Sequence, residues 1–141
     1  MLNLLPLHLV RKKITHKIRL KKFQFLKKYP HLEVTIFDLP GTLGVTKRFL
    51  EKEGMAGKIR IAEGDYNTDE LPAGFDVAFL SNIIHSENED TNKELMKKVF
   101  GALNRGGEVI IKDHILDDSF THPPVGAIFS VQMLLATRGR D

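Results

Sequence analysis

Several positions in this sequence place a hydrogen-bonding or proton-carrying side chain at the end of a short apolar run. Asp38 closes the run 32–37, Asp65 follows the run 58–62 across Gly64, Ser81-Asn82 and His85 follow the run 75–80, and Asp113-His114 follow the run 108–112. Carboxylates accept hydrogen bonds from ligand hydroxyl and amino groups, and an imidazole exchanges a proton near neutral pH. Three runs ending in aspartate, with one ending near a histidine, form a specific set. Each member alone has a plainer reading. Asp38 is equally a turn residue before Pro40, Asp65 belongs to a simple Gly-Asp turn, and His85 is an approach residue beside a cap at Ser86. His8, His16, His31, His114 and His122 show no metal-ligand spacing, and no metal site is expected.

The elements that would carry these residues alternate strand-like and helical patterns. The run 32–37 is β-branched and aromatic and stops at Asp38-Leu39-Pro40-Gly41. Val45, Phe49 and Leu50 then follow a helical spacing that ends at Gly54. The runs 58–62 and 75–80 read as the next two strands, the second nearly all apolar and so buried on both faces. Ser86-Glu87-Asn88-Glu89 has the form of a capping box, and Leu95, Val99 and Leu103 continue from it at helical spacing. Arg105-Gly106-Gly107 is expected to end that helix before a strand at 108–112, and the apolar stretch 125–136 reads as a last helix. This order implies an α/β domain with a mainly parallel sheet, whose ligands sit at the carboxyl ends of its strands.

With 141 residues, 42% hydrophobic and 28% charged, the chain has the composition of one globular domain. It has no cysteine, which excludes disulfides, thiolate catalysis and Cys-ligated metals. The apolar start, residues 1–10, is too short to cross a bilayer and makes a poor signal peptide, so a cytoplasmic protein is expected. Charge is unevenly distributed. Residues 1–32 hold nine Lys/Arg and no acid, whereas residues 33–141 hold 12 Lys/Arg and 18 Asp/Glu. The basic arm lacks interleaved aromatics, which favours a solvated face over nucleic-acid binding.

Taken in order and spacing, the residues from Phe25 onward resemble the small-molecule O-methyltransferases that use S-adenosylmethionine, of the plant phenolic and related bacterial types. The resemblance is carried by Tyr29-Pro30-His31-Leu32 leading to Phe37-Asp38-Leu39-Pro40, then Gly64-Asp65-Tyr66, Leu80-Ser81-Asn82-Ile83-Ile84-His85, Asn104-Arg105-Gly106-Gly107 before Val109-Ile110-Ile111, and Arg138-Gly139-Arg140-Asp141. It implies an incomplete Rossmann-like sheet with flanking helices. Asp38 would accept hydrogen bonds from the cofactor ribose, Asp65 would approach the adenine amino group with Tyr66 beside the ring, and Ser81 would join the cofactor site. His85 would take the proton from a phenol-like hydroxyl of a small-molecule acceptor, with Asp113 orienting it and Asp141 as a second carboxylate. Phe129, Met133 and Leu134 would be either acceptor wall or core.

The chain also departs from the family pattern. The resemblance implies a first strand running into a glycine-rich loop about 20 residues before Asp38, where only glycine lets backbone approach the cofactor closely. The first glycine here is Gly41, and the stretch 14–22 is too basic for a central strand buried on both faces. Without a substitute the sheet would have a gap at its middle. A basic amphipathic helix through Ile14, Ile18, Leu20 and Phe25 is one candidate cover. Residues 1–24 are therefore expected to be a basic arm of unrelated character, and 25–141 a partial methyltransferase domain. The alternative function is a catalytically inactive truncated homologue acting through partners, as a homo-oligomer or with a full-length relative.

Overall fold

The computed structural model describes residues 7–11 and 29–136. Within these residues five strands and three helices follow in the order β1 (Leu7–Arg11), β2 (Glu33–Asp38), α1 (Pro40–Lys52), β3 (Ile59–Glu63), β4 (Phe75–Ser81), α2 (Glu89–Ala102), β5 (Leu103–Lys112) and α3 (Pro124–Ala136), with a 3-10 turn at Ile84–Ser86 between β4 and α2. All five strands form one sheet in the order β3-β2-β1-β4-β5. β2 pairs with β3, and β4 with β5, in parallel. β1 lies between β2 and β4 and runs antiparallel to both. Four strands therefore share one direction, and the central strand opposes them.

The gap expected at the middle of the sheet is filled by Leu7–Arg11, a segment read in the sequence only as part of an apolar start. Leu9 faces Thr35 of β2 on one side and Ala78 of β4 on the other. Alternation along β1 sends Leu7 and Leu9 to the face covered by α2, where they meet Phe37, Leu80, Leu95 and Val99. Val10 goes to the opposite face with Val34, Ile36, Ile59 and Leu50 of α1. With helices on both faces, β2 and β4 read as continuous apolar runs rather than alternating ones. The candidate covering helix through Ile14, Ile18, Leu20 and Phe25 lies outside the described residues.

Local chemistry sets the helix ends. Pro40 starts α1 in its first turn, where a missing N–H costs nothing, and Gly54 takes a left-handed φ of 67° just past its end. The cap of α2 is Asn88, not Ser86: its side chain accepts from the Thr91 N–H at 2.9 Å, because Ser86 is already committed to the preceding turn. The strand β5 also begins earlier than expected, at Leu103. Phe75 pairs with Leu103 but Val77 with Glu108, so Asn104-Arg105-Gly106-Gly107 form an irregularity within β5, with Gly106 at φ 78°. Among the described residues no helix is long and apolar enough to cross a membrane.

β1 carries one polar side chain into the core. His8 is buried, and its ring stacks on Phe79 at 5.8 Å between centroids. Burial pulls its pKa from 6.5 down to about 4, so the folded protein holds it neutral. The unfolded chain takes up this proton first as pH falls, so stability is lost between about pH 6.5 and pH 4. His8→Leu is expected to flatten the acid dependence of the urea midpoint across this window, and an unchanged dependence would contradict the burial argument. Leu9 is fully buried, and Leu9→Ala is expected to cost about 2–5 kcal/mol in equilibrium unfolding. A loss under about 0.5 kcal/mol, typical of surface positions, would mean β1 is not in the core.

Candidate active site

The carboxyl ends of β2, β3, β4 and β5 lie on one edge of the domain, so the sequence-predicted residues Asp38, Asp65, Tyr66, Ser81, His85 and Asp113 share that edge. β1 arrives there by its amino end, with Leu7 opposite Phe37 and His8 opposite Phe79. No strand-to-helix turn therefore leaves the central strand at this edge. Asp141 lies outside the described residues.

His85 and Asp113 are brought together. β4 and β5 are parallel with Ser81 opposite Lys112, and the Asn82 N–H donates to the Lys112 carbonyl at 2.9 Å, so the two strands release their chains side by side. Asn82 then turns at φ 55°, a left-handed conformation that asparagine tolerates better than most residues, and Lys112 Nζ donates to its Oδ1 at 3.2 Å. The 3-10 turn that follows presents His85. Its Nδ1 lies 2.6 Å from Asp113 Oδ1. The Asp113 side chain is 1% exposed and the His85 side chain 16% exposed. A carboxylate only accepts, so Nδ1 carries the hydrogen of this contact, and the neutral imidazole then has its lone pair on Nε2. The His114 N–H also donates to Asp113 Oδ1 at 2.8 Å, fixing the carboxylate from its own backbone.

Phe129 of α3 closes this corner. Its ring meets His85 edge-to-face at 4.9 Å and stacks against His114 at 4.1 Å. Of the three residues expected as wall or core, Phe129 packs against the His85–His114 corner; the side chain of Leu134 lies outside the described residues. His114 as a ring partner was not foreseen, because nothing in a sequence pairs it with a phenylalanine 15 residues on.

The other predicted residues form a second group. Asp38 Oδ1 accepts from the Leu39 N–H at 2.8 Å, and Thr46 Oγ1 donates to its Oδ2 at 3.4 Å, which holds the carboxylate at the start of α1. Gly64 donates its N–H to the Asp38 carbonyl at 3.0 Å. Asp65 Oδ1 accepts from the Asn67 N–H at 2.8 Å, shaping a tight loop. Tyr66 donates its hydroxyl to Glu87 Oε1 at 3.0 Å, and burial together with the Glu87 charge raises the phenol pKa, so it stays protonated. Ser81 is fully buried, and its Oγ has no hydrogen-bond partner among the described residues. An orphaned hydroxyl at the carboxyl end of β4 suits a polar ligand at this edge.

Residues 22–141 match the model of the O-methyltransferase domain. The chain belongs to that family. It is 34% identical over 118 residues to 3-hydroxy-5-methyl-1-naphthoate 3-O-methyltransferase of Streptomyces sahachiroi, covering 84% of this chain and 34% of the relative. Among solved structures it resembles an O-methyltransferase family 2 protein from Planctomyces limnophilus in complex with apigenin, with TM-score 0.75, 30% identity, and coverage of 82% of this chain and 34% of the other. Human N-acetylserotonin methyltransferase in complex with SAM superposes with TM-score 0.71 at 25% identity, covering 82% and 32%. The fold is thus the incomplete Rossmann-like methyltransferase sheet that the sequence implied, and the chain spans about a third of the length of the curated relatives it matches. The strand that fills its centre, Leu7–Arg11, falls outside the residues matched to the O-methyltransferase domain.

Gly64 gives this site a direct test. A Cβ there would lie 2.4 Å from Phe37 Cζ, inside the ring's contact surface. Gly64→Ala is expected to cost about 1–3 kcal/mol in unfolding free energy by displacing Phe37 or the loop after β3. A neutral substitution would mean the loop does not pack on Phe37 as described.

Proposed function

We propose that this chain carries the acceptor-deprotonating side of an S-adenosylmethionine-dependent O-methyltransferase, with His85 as general base toward the hydroxyl of a phenol-like small molecule. The observation that supports it most is the 2.6 Å contact between His85 Nδ1 and the buried Asp113 carboxylate. That contact directs the free lone pair of Nε2 away from Asp113, and the carboxylate stabilises the imidazolium formed when Nε2 accepts a proton. A phenol with a pKa near 10 is mostly neutral at pH 7, so removing its proton produces the stronger nucleophile. Phe129 and His114 wall this corner and limit water around the imidazole.

Asp38, Asp65, Tyr66 and Ser81 are the residues that would hold the adenosine portion of the cofactor, which when bound supplies a methyl group activated for transfer. The unpartnered Ser81 hydroxyl and the carboxylates of Asp38 and Asp65 fit the hydroxyl and amino groups of a nucleoside. For the methionine portion the fit is poorer: the first glycine is Gly41, and the central strand brings Leu7 and His8 to this edge instead of a glycine turn. On this reading residues 25–141 are a partial catalytic domain, and the strand that completes its sheet comes from the basic arm of residues 1–24. Asp141 keeps its proposed place as a second carboxylate.

The second reading is a catalytically inactive homologue that works through a partner or as a homo-oligomer. It is favoured by the missing glycine turn and by Val125, Ile128 and Val131, which leave one stripe of α3 exposed. Methyl transfer to a phenolic acceptor separates the two readings. His85→Gln is expected to lower kcat by about 10²–10⁴-fold while S-adenosylhomocysteine binding is unchanged. A His85→Gln enzyme as active as the parent would refute the base assignment. A parent that binds S-adenosylhomocysteine yet transfers no methyl group to any phenol would favour the second reading.

A further inference from the structure

Lys98 of α2 is held in an unusual way. Its Nζ donates to three backbone carbonyls of one loop: Tyr66 at 3.0 Å, Asn67 at 3.1 Å and Asp69 at 2.9 Å. An ammonium has three donors and no acceptor, so these carbonyls use its full capacity. Lys93 and Lys97 of the same helix instead pair with Glu89 and Glu94 at the surface. Three carbonyl oxygens gathered at one point repel one another, and the cation offsets that repulsion.

The rest of the loop is bonded around this centre. Asp65 Oδ1 accepts from the Asn67 N–H, Asp69 Oδ2 accepts from the Asp65 N–H at 2.8 Å, and the Asp65 carbonyl accepts from the N–H groups of Thr68 and Asp69. On its other side the loop reaches the turn that bears His85. Tyr66 Oη and Asn67 Nδ2 both donate to Glu87 Oε1, at 3.0 and 3.2 Å. Asn92 of α2 donates to the carbonyls of Ile84 and Glu87, at 2.8 and 3.2 Å. One helix thus holds the loop through Lys98 and the His85 turn through Asn92, while Glu87 joins loop to turn.

We propose that Lys98 is a positioning residue: it sets the Asp65–Asp69 loop for nucleoside binding, and Glu87 couples that loop to the turn carrying His85. The proposal rests on the reading of Asp65 and Tyr66 as cofactor contacts. It is tested on the full chain by amide hydrogen exchange without ligand and by calorimetric titration with S-adenosylhomocysteine. Lys98→Met is expected to speed exchange at Asn67, Thr68 and Asp69 at least tenfold with an unchanged global unfolding midpoint, and to weaken S-adenosylhomocysteine at least tenfold. Lys98→Arg, which keeps the donors, should recover part of both. Glu87→Ala should weaken the ligand likewise, and Glu87→Gln, which keeps the accepting oxygen, should not. This second pair decides the matter should Lys98→Met fail to fold.

Unchanged exchange in Lys98→Met overturns the positioning role whether or not the ligand binds. Faster exchange with parental affinity overturns the link to the ligand. A parent chain that does not bind S-adenosylhomocysteine overturns the cofactor reading and with it the ligand-directed role, while the exchange data still report whether Lys98 orders the loop.

Discussion

Among the described strands, β2 and β4 are not hydrogen-bonded to each other; each is bonded to Leu7–Arg11. Remove that strand and the sheet separates into two parallel pairs, each with an open edge and an apolar face cut in half. Unpaired strand edges and split cores are costly, so a polypeptide with this pattern needs some strand at the centre. The requirement is for a short apolar run that can pair on both sides and pack on both faces. Leu7-His8-Leu9-Val10 meets it, with Leu7 and Leu9 on one face and Val10 on the other. Direction is less constrained than presence, because antiparallel pairing is at least as favourable per residue as parallel.

The reversed direction has a consequence for the site. A parallel central strand would deliver a turn to the ligand edge, whereas β1 delivers its amino end there. What survives unchanged is everything set by the outer pairs. The β4–β5 register places Asn82 beside Lys112 and so brings His85 to Asp113, and the β2–β3 register places Asp38 opposite Glu63 and the Gly64-Asp65 loop beside it. The domain therefore keeps an acid–imidazole pair and a carboxylate-bearing edge with a different centre between them. The chain shares this fold with O-methyltransferases of which it covers about a third.

How much of this could be read from the sequence follows from what each feature depends on. The strands β2 and β4 were legible to within a residue or two because burial on both faces makes them continuous apolar runs. The pairing of His85 with Asp113 was legible only through family resemblance, since 28 residues and a helix separate them. β1 was not legible: a five-residue run containing a histidine, next to a basic stretch, has no local signal of a central strand, and its partners are specified by tertiary contacts alone. Asn88 won the cap from Ser86 because the 3-10 turn had already used the serine's position, a competition invisible to a motif. Nothing local in the sequence links Lys98 or Glu87 to the loop after β3, and only the fold shows that they close on it from about 20 to 30 residues away.

The most direct test of this account is the register of the central strand, read by proton NOEs in a uniformly labelled sample of the full chain. Antiparallel pairing predicts cross-strand contacts from Leu9 to both Thr35 and Ala78, with Leu7 near Phe37 and Val10 near Val34 and Val77. Contacts that run the other way, or direct contacts between β2 and β4 with none to residues 7–11, would contradict it.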